Sequence, residues 1–303
     1  MKWSLISILS YFILGVQCGS KPLNGVAYNP YNLQGCSSVQ EVEDGIIKLS
    51  TLTNSIRLYR SSCNQVYNVI NTIIKYNLEL TVFLGLWIRE GDSNFNSELQ
   101  SMVSTLQQNP NFIQYIKMVS IGNEELYNDP SQKGNLIQKI QFTKSQLSQF
   151  GLQVGTCDVD TEWDTDVASV CDFIGINVQP YFSGRPEQNL PIERSIDDIN
   201  FSLQTIQSKS LGKQVIISEI GFPSAGAPCN AYGTLSTQKQ FGFFQTVYCN
   251  KLPPYYIMEG YDAIYKSSGL NGGIEQHFGI SNTDGTLKYG NLNQLTQCSS
   301  YQN

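Results

Sequence analysis

The chain has 303 residues, 41% of them hydrophobic, and a formal net charge of −6. Its 19 Lys and Arg residues are dispersed, so no basic surface exists to neutralise phosphates and nucleic acid is excluded as a partner. A single histidine, no Cys-x-x-Cys, no Walker loop and no dinucleotide fingerprint leave neither a metal nor a cofactor to be expected.

At the start of the chain Lys2 precedes an apolar stretch from Trp3 to Val16, followed by small and polar residues through Ser20. That order is the order of a secretory signal, with removal expected near Cys18. The apolar stretch falls short of the roughly 20 residues that cross a bilayer, and no later segment is apolar enough, so no membrane span is expected. The expected organisation is a signal peptide over residues 1–18 and one catalytic domain over 19–303. No linker, charge block or repeat divides the remainder.

Short β-rich runs then alternate with helix-like stretches. The expected strands are Gly25 to Tyr28, Ser55 to Tyr59, Leu80 to Leu84, Met118 to Ile121, Gln153 to Thr156, Phe173 to Asn177, Val215 to Ser218 and Tyr256 to Tyr261. Ser38-x-x-Glu41 reads as a capping box ahead of Val42, Ile46, Ile47 and Leu49. Asn64 to Tyr76, Asn96 to Gln108, Ile137 to Phe150 and Ser236 to Cys249 carry similar helical spacing. The segment between the fifth and sixth strands is too short for a full helix. Eight strands with crossover helices predict an α/β chain closed as a single (β/α)8 TIM barrel.

Eight cysteines behind a secretory signal predict disulfides. Pairing by proximity gives Cys36–Cys63, Cys157–Cys171 and Cys229–Cys249, with Cys298 left over. Asn200-Phe201-Ser202 is a sequon for N-glycosylation. The single histidine, His277, has no Gly-x-Ser-x-Gly elbow to serve and is expected to be structural.

The chemistry gathers on two glutamates that each end a β-rich run and enter a turn: Glu124 in Val-Ser-Ile-Gly-Asn-Glu, and Glu219 in Val-Ile-Ile-Ser-Glu-Ile-Gly-Phe-Pro-Ser. Side chains alternate along a strand, so Glu124 shares the face of Ser120 and Gly122 and aims inward, while Glu125 does not. By the same count Glu219 shares the face of Ile217. Carboxylates at the exits of the fourth and seventh strands reach the open mouth of a barrel, where one protonates a departing glycosidic oxygen and the other attacks the anomeric carbon or directs water. Neither run supplies a local cation, which argues against simple ion pairing. Asp158, Glu162 and Glu259 are rival acids without the same strand, turn and glycine context.

Aromatic residues make up 11% of the chain, a rich supply of faces that stack on sugar rings. Tyr28, Tyr59, Trp87, Tyr127, Trp163, Tyr181, Phe222 and Tyr261 fall at or just past expected strand exits and are candidate stacking platforms. Asn123, beside Glu124, is placed to bond a sugar 2-hydroxyl or to hold a catalytic carboxylate.

Val215 to Gly226 resembles the signature of glycoside hydrolase family 17, whose members act on β-1,3-glucans. Gly-Asn-Glu at Gly122 to Glu124, Ile-Arg-Leu-Tyr at Ile56 to Tyr59 and Gln-Pro-Tyr-Phe at Gln179 to Phe182 are similar to further segments of that family. So are Glu259-Gly-Tyr-Asp262 with Lys266, and Glu-Gln-His-Phe-Gly at Glu275 to Gly279. The resemblance implies that Glu124 is the acid/base and Glu219 the nucleophile of a retaining mechanism, and that Glu259 and Lys266 contact substrate. Phe222 replaces the usual Trp or Tyr, and Ala263 follows Asp262 where many fungal relatives carry a second acid.

The implied function is a secreted, monomeric enzyme that hydrolyses β-1,3-glucan, or transfers it in cell-wall remodelling. The polar C-terminus, Gln297 to Asn303, lacks a greasy anchor tail, so an extracellular or wall-retained protein is expected. A wall-associated glucan-binding protein with little turnover, and a barrel glycosidase for another β-linkage, stand as the alternatives.

Overall fold

A computed structural model describes residues 21–183, 190–227, 232–290 and 292–298. The expected signal peptide and Cys229 lie outside the described residues.

Eight parallel strands close into a barrel: β1 (Val26–Ala27), β4 (Ser55–Arg57), β5 (Thr81–Leu86), β6 (Ile116–Ile121), β7 (Val154–Val159), β8 (Phe173–Val178), β9 (Gln214–Ile220) and β10 (Tyr255–Ile257). Each expected strand is present, with ends shifted by a few residues. A short antiparallel hairpin, β2 (Tyr31–Asn32) and β3 (Gly35–Cys36), sits on the rim after β1. The connecting helices are α1 (Val39–Ser50), α2 (Gln65–Lys75), α3 (Asp92–Gln108), α4 (Glu125–Asn128), α5 (Lys133–Leu147), α6 (Thr165–Val170), α7 (Ser195–Gln207) and α8 (Thr237–Cys249). The capping box forms as expected: Glu41 N–H donates to the Ser38 hydroxyl, and Ser38 N–H donates to the Glu41 carboxylate. The short α6 fills the place where no full helix was expected.

Strand alternation builds two cores. Phe83, Met118, Cys157, Phe173, Ile216 and Tyr256 plug the barrel interior. Val82, Leu84, Val119, Ile121, Ile174 and Ile217 belong to the larger layer between sheet and helices.

That layering corrects two expectations. Ile217 faces the helices, so simple alternation would carry Glu219 outward with it. The pairing register shows why it does not: Ile176 and Asn177 of β8 pair with Ile217 and Glu219, and Tyr255 and Ile257 of β10 pair with Ile217 and Ile220. One extra residue is accommodated in β9, and this bulge turns Glu219 to the mouth. The second correction concerns the cysteines. Cys157 lies in the interior plug and Cys171 in the outer layer, on opposite sides of the sheet, and both are free and buried. Cys36–Cys63 forms as expected, whereas Cys249 pairs with Cys298 rather than Cys229, and Cys298 is therefore not left over.

Candidate active site

The C-terminal ends of the strands open into a cleft of about 1340 Å³ that contains both Glu124 and Glu219. β6 and β9, which deliver the two residues, are separated by β7 and β8, an arc of the mouth rather than its full width.

Glu124 follows Ile121 by a left-handed turn in which Gly122 has φ 70° and Glu124 itself φ 56°. A Cβ on Gly122 would lie 2.5 Å from Cγ of Glu125, so the turn requires glycine. Glu124 N–H bonds the Cys157 carbonyl at 2.8 Å and docks the turn on β7. Asp158 caps the segment that follows, accepting from the N–H groups of Leu126 at 2.8 Å and Tyr127 at 3.3 Å. That rival acid is thus committed to backbone. Glu125 is also committed, to Arg89 at 3.2 Å.

The two glutamates have contrasting partners. Glu124 Oε1 accepts from Asn177 Nδ2 at 2.9 Å. Burial first, then the nearby charge of Glu219, push its carboxyl up to about 7, against the Asn177 hydrogen bond. Glu219 is held by a cation: Arg57 Nη1 lies 2.9 Å from its Oε1. Gln179 Nε2 approaches Oε2 at 3.3 Å, and the Tyr59 hydroxyl also bonds the carboxylate. One connected chain of bonds links the pair. Asn123 Oδ1 accepts from Arg57 Nη2 at 2.7 Å and from Asn177 Nδ2 at 3.0 Å, so it touches the partners of both acids. Asn177 Oδ1 in turn accepts from Ser218 Oγ at 2.7 Å, which fixes its amide with the nitrogen toward Glu124.

Arg57 is fully buried, stacked 4.5 Å from the Tyr59 ring centroid and 5.5 Å from that of Phe83. Neither glutamate run carries a cation, because this one arrives from β4. Its signal was legible in another form: Ser55 and Arg57 are polar at alternate positions of a strand whose other residues are apolar, the mark of an inward face. Asn177 and Gln179 were missed as site residues for a similar reason, standing at the polar end of the Phe-Ile-Gly-Ile-Asn-Val run.

Of the expected substrate contacts, Tyr59, Trp87, Asn123, Tyr127, Glu259 and Lys266 line the cleft. Glu259 is buried and bonded to Lys266 Nζ at 2.8 Å; burial pushes its carboxyl up, opposed by that lysine. Trp87 is flanked by the guanidinium groups of Arg89 at 5.0 Å and Arg60 at 5.9 Å from its ring centroid.

The other expected platforms are not in the cleft. Trp163, Tyr181 and Phe222 are 2%, 0% and 0% exposed. Trp163 donates to the Gly175 carbonyl and Tyr181 to that of Ala227, while Phe222 packs edge-on against Tyr181 and Tyr232. Tyr28 and Tyr261 pack together at 5.9 Å and line a smaller pocket beside the cleft rather than the cleft itself. Unanticipated aromatic surface comes instead from Phe182 and Phe201, exposed on the cleft wall next to β8 and α7. His277 is half-buried, 3.8 Å from Asp262, and its carbonyl accepts from Ser224. Among the described residues no group of His, Cys, Asp and Glu is placed to hold a metal ion.

The family model described as BtgE/BtgC glycoside hydrolase domain matches residues 25–279. The chain is 30% identical over 221 residues, 68% of its length, to the "Probable glucan endo-1,3-beta-glucosidase btgC" of Aspergillus flavus, and spans 32% of that protein. It is 27% identical over 282 residues to the glucan endo-1,3-beta-glucosidase btgC of Emericella nidulans, covering 84% of this chain and 43% of that protein. The chain thus spans about a third to two fifths of the length of these curated relatives. A solved glycoside hydrolase family 17 β-1,3-glucanosyltransferase from Rhizomucor miehei superposes with a TM-score of 0.77 at 25% identity, over 90% of this chain and 97% of that one. An endo-laminarinase from Formosa shares the fold at a TM-score of 0.73 and 18% identity, over 93% of this chain and 88% of that one.

Proposed function

The chain belongs to the BtgE/BtgC glycoside hydrolase domain family, and from that membership we propose that it cleaves β-1,3-glucan with retention, using Glu124 as acid/base and Glu219 as nucleophile. One observation carries the reading: two carboxyl groups share a cleft in opposed electrostatic settings. Burial and the charge of Glu219 keep Glu124 protonated up to about pH 7, the state of a general acid. Arg57, with donors from Tyr59 and Gln179, holds and orients the Glu219 side chain as a nucleophile needs to be held.

In the first step the Glu124 proton passes to the glycosidic oxygen as that bond breaks, and Glu219 forms an ester bond to the anomeric carbon. Oε1 is held by Arg57 at 2.9 Å, and Oε2, which receives the longer 3.3 Å approach of Gln179, makes the attack. In the second step the Glu124 carboxylate takes a proton from water or from an acceptor sugar hydroxyl, whose oxygen displaces Glu219. With its oxygen engaged twice, Asn123 has its amide nitrogen to offer a substrate hydroxyl. The curated relatives are named for endo-1,3-β-glucosidase action and the Rhizomucor miehei structure for β-1,3-glucanosyl transfer. Both outcomes use the same ester. Disulfides Cys36–Cys63 and Cys249–Cys298 support an extracellular or cell-wall setting, with a role in glucan remodelling.

Replacing Glu219 with Gln tests the assignment. Release of reducing sugar from laminarin is expected to fall by at least about a thousandfold, with the fold retained. Turnover at the wild-type rate would dismiss Glu219 as the nucleophile. Chain lengths of products from a defined laminari-oligosaccharide separate the two outcomes, since products longer than the donor report transfer.

A further inference from the structure

Outside the ring of strands lies a second pocket of about 350 Å³, bounded by the β2–β3 hairpin, the outer side of α1 and the segment around Thr283 to Gly285. It shares Asn29, Tyr31, Asn32, Leu33, Glu259 and Tyr265 with the catalytic cleft. Glu124, Asn123 and Asn177 line the cleft alone. The pocket is therefore a side extension of the cleft at its β10–β1 end, away from the acid/base.

Its walls have the chemistry of a sugar site. Tyr31, Tyr261 and Tyr265, all partly exposed, supply ring surface, Tyr28 is buried behind Tyr261, and carboxylates and amides supply hydrogen bonds. Of its five lining carboxylates, Glu259 and Asp262 are paired with Lys266 at 2.8 Å and Lys288 at 2.7 Å, which leaves Glu41, Asp44 and Asp284 beside Lys48, an acidic balance that disfavours an anion and suits a neutral polyol. At the junction with the cleft, Asn29 Nδ2 donates to the Tyr265 hydroxyl at 2.6 Å, while the buried Asn29 Oδ1 has no hydrogen-bond partner. The hairpin wall is pinned by Cys36–Cys63 and by the Tyr31 hydroxyl on Ser62 at 2.7 Å, so the cavity is preformed. Its volume lies near the lower end of the roughly 300–1,000 Å³ usual for small-molecule sites.

Position then assigns the sugar. Because the acid protonates the leaving oxygen, the departing half of the donor lies on the Glu124 side, and the retained half extends the other way. We infer that the pocket beside the hairpin is an additional saccharide-binding site that holds a glucosyl unit of the donor's retained half. That unit is either the next residue of the main chain or a branch carried on it. The inference rests on the glucan-cleaving reading of the cleft.

Two blocking substitutions test it, Thr283→Trp and Gln34→Trp, both at exposed rim positions on different walls. Melting temperatures identify a variant that fails to fold, in which case the other serves. kcat/KM is measured on linear laminari-oligosaccharides of increasing length, on linear β-1,3-glucan and on glucan with 6-linked branches. The wild type should gain about tenfold from length or from branching, and each blocked variant should lose that gain while cleaving the shortest substrate unchanged. Loss confined to long linear chains assigns the main chain; loss confined to branched glucan assigns the branch. Equal losses on every substrate, or none on any, would overturn the pocket assignment. A wild-type enzyme inert on all these glucans would instead remove the cleft reading and the pocket with it.

Discussion

At the scale of single residues, the proposed function rests on how differently two carboxyl groups are treated by their neighbours. With Glu124 pushed up to about 7, the acid form is lost as pH rises through that value, so kcat/KM should show an alkaline limb near pH 7. The Asn177 hydrogen bond opposes that shift, so in Asn177→Ala the limb should move to higher pH while kcat falls; a pH–rate profile measures both. The same shift has a stability consequence. Folded Glu124 binds its proton more tightly than unfolded Glu124, whose ordinary value is 4.5, so its contribution to stability declines as pH rises from about 4.5 to about 7. Glu124→Gln, which cannot ionise, should therefore be more stable than wild type at pH 8 by on the order of 1 kcal/mol or more in denaturant unfolding, and show little gain at pH 4. Arg57 ion-pairs with the other carboxyl group, Glu219, at 2.9 Å. Arg57→Met strands Glu219 and Asn123 together, and should cost roughly 3 kcal/mol in denaturant unfolding as well as more than about a hundredfold in kcat.

At the scale of elements, the bulge in β9 decides where Glu219 points. Period-2 counting placed Glu219 and Ile217 on one face, and the extra residue accommodated between Ile217 and Ile220 breaks that count. Such a bulge leaves no residue-type signature in Val-Ile-Ile-Ser-Glu-Ile, because β-branched residues suit both faces. Glu124 was legible because Gly122 announces its turn. Trp163, Tyr181 and Phe222 were misjudged as cleft residues because an aromatic at a strand exit suits a core as well as a cleft, and chain spacing does not say which way the following loop folds. The cysteines repeat the point. Proximity along the chain joined Cys157 to Cys171, yet the sheet stands between them, whereas Cys249 reaches a partner 49 positions away. By loop-closure entropy the Cys249–Cys298 bond should contribute about 3–4 kcal/mol. A Cys249→Ser/Cys298→Ser double variant should lose that much in thermal unfolding, while Cys157→Ala should lose much less.

At the scale of the whole molecule, the barrel itself was readable from eight alternating strand and helix runs, since each parallel strand must bury one face on the barrel interior and the other under helices. What the alternation could not convey was the shape of the mouth. The cleft is walled by the β2–β3 hairpin and by exposed Phe182 and Phe201, elements set by loops rather than by periodicity. Under the proposed mechanism, water and acceptor sugars compete for the glycosyl ester in that mouth. Phe201→Ala, which strips an exposed ring from the cleft wall, is expected to lower the ratio of transfer to hydrolysis in timed product profiles more than it lowers donor consumption.

The central claim is that Glu219 forms a covalent bond to the sugar while Glu124 manages the proton. Incubation with an activated 2-deoxy-2-fluoro laminaribioside, followed by mass spectrometry of the intact and digested protein, tests it directly. The expected result is one fluoro-laminaribiosyl adduct per chain, mapped to the peptide containing Glu219 and absent from Glu219→Gln. An adduct on another residue, or turnover with inverted anomeric configuration, would contradict the account.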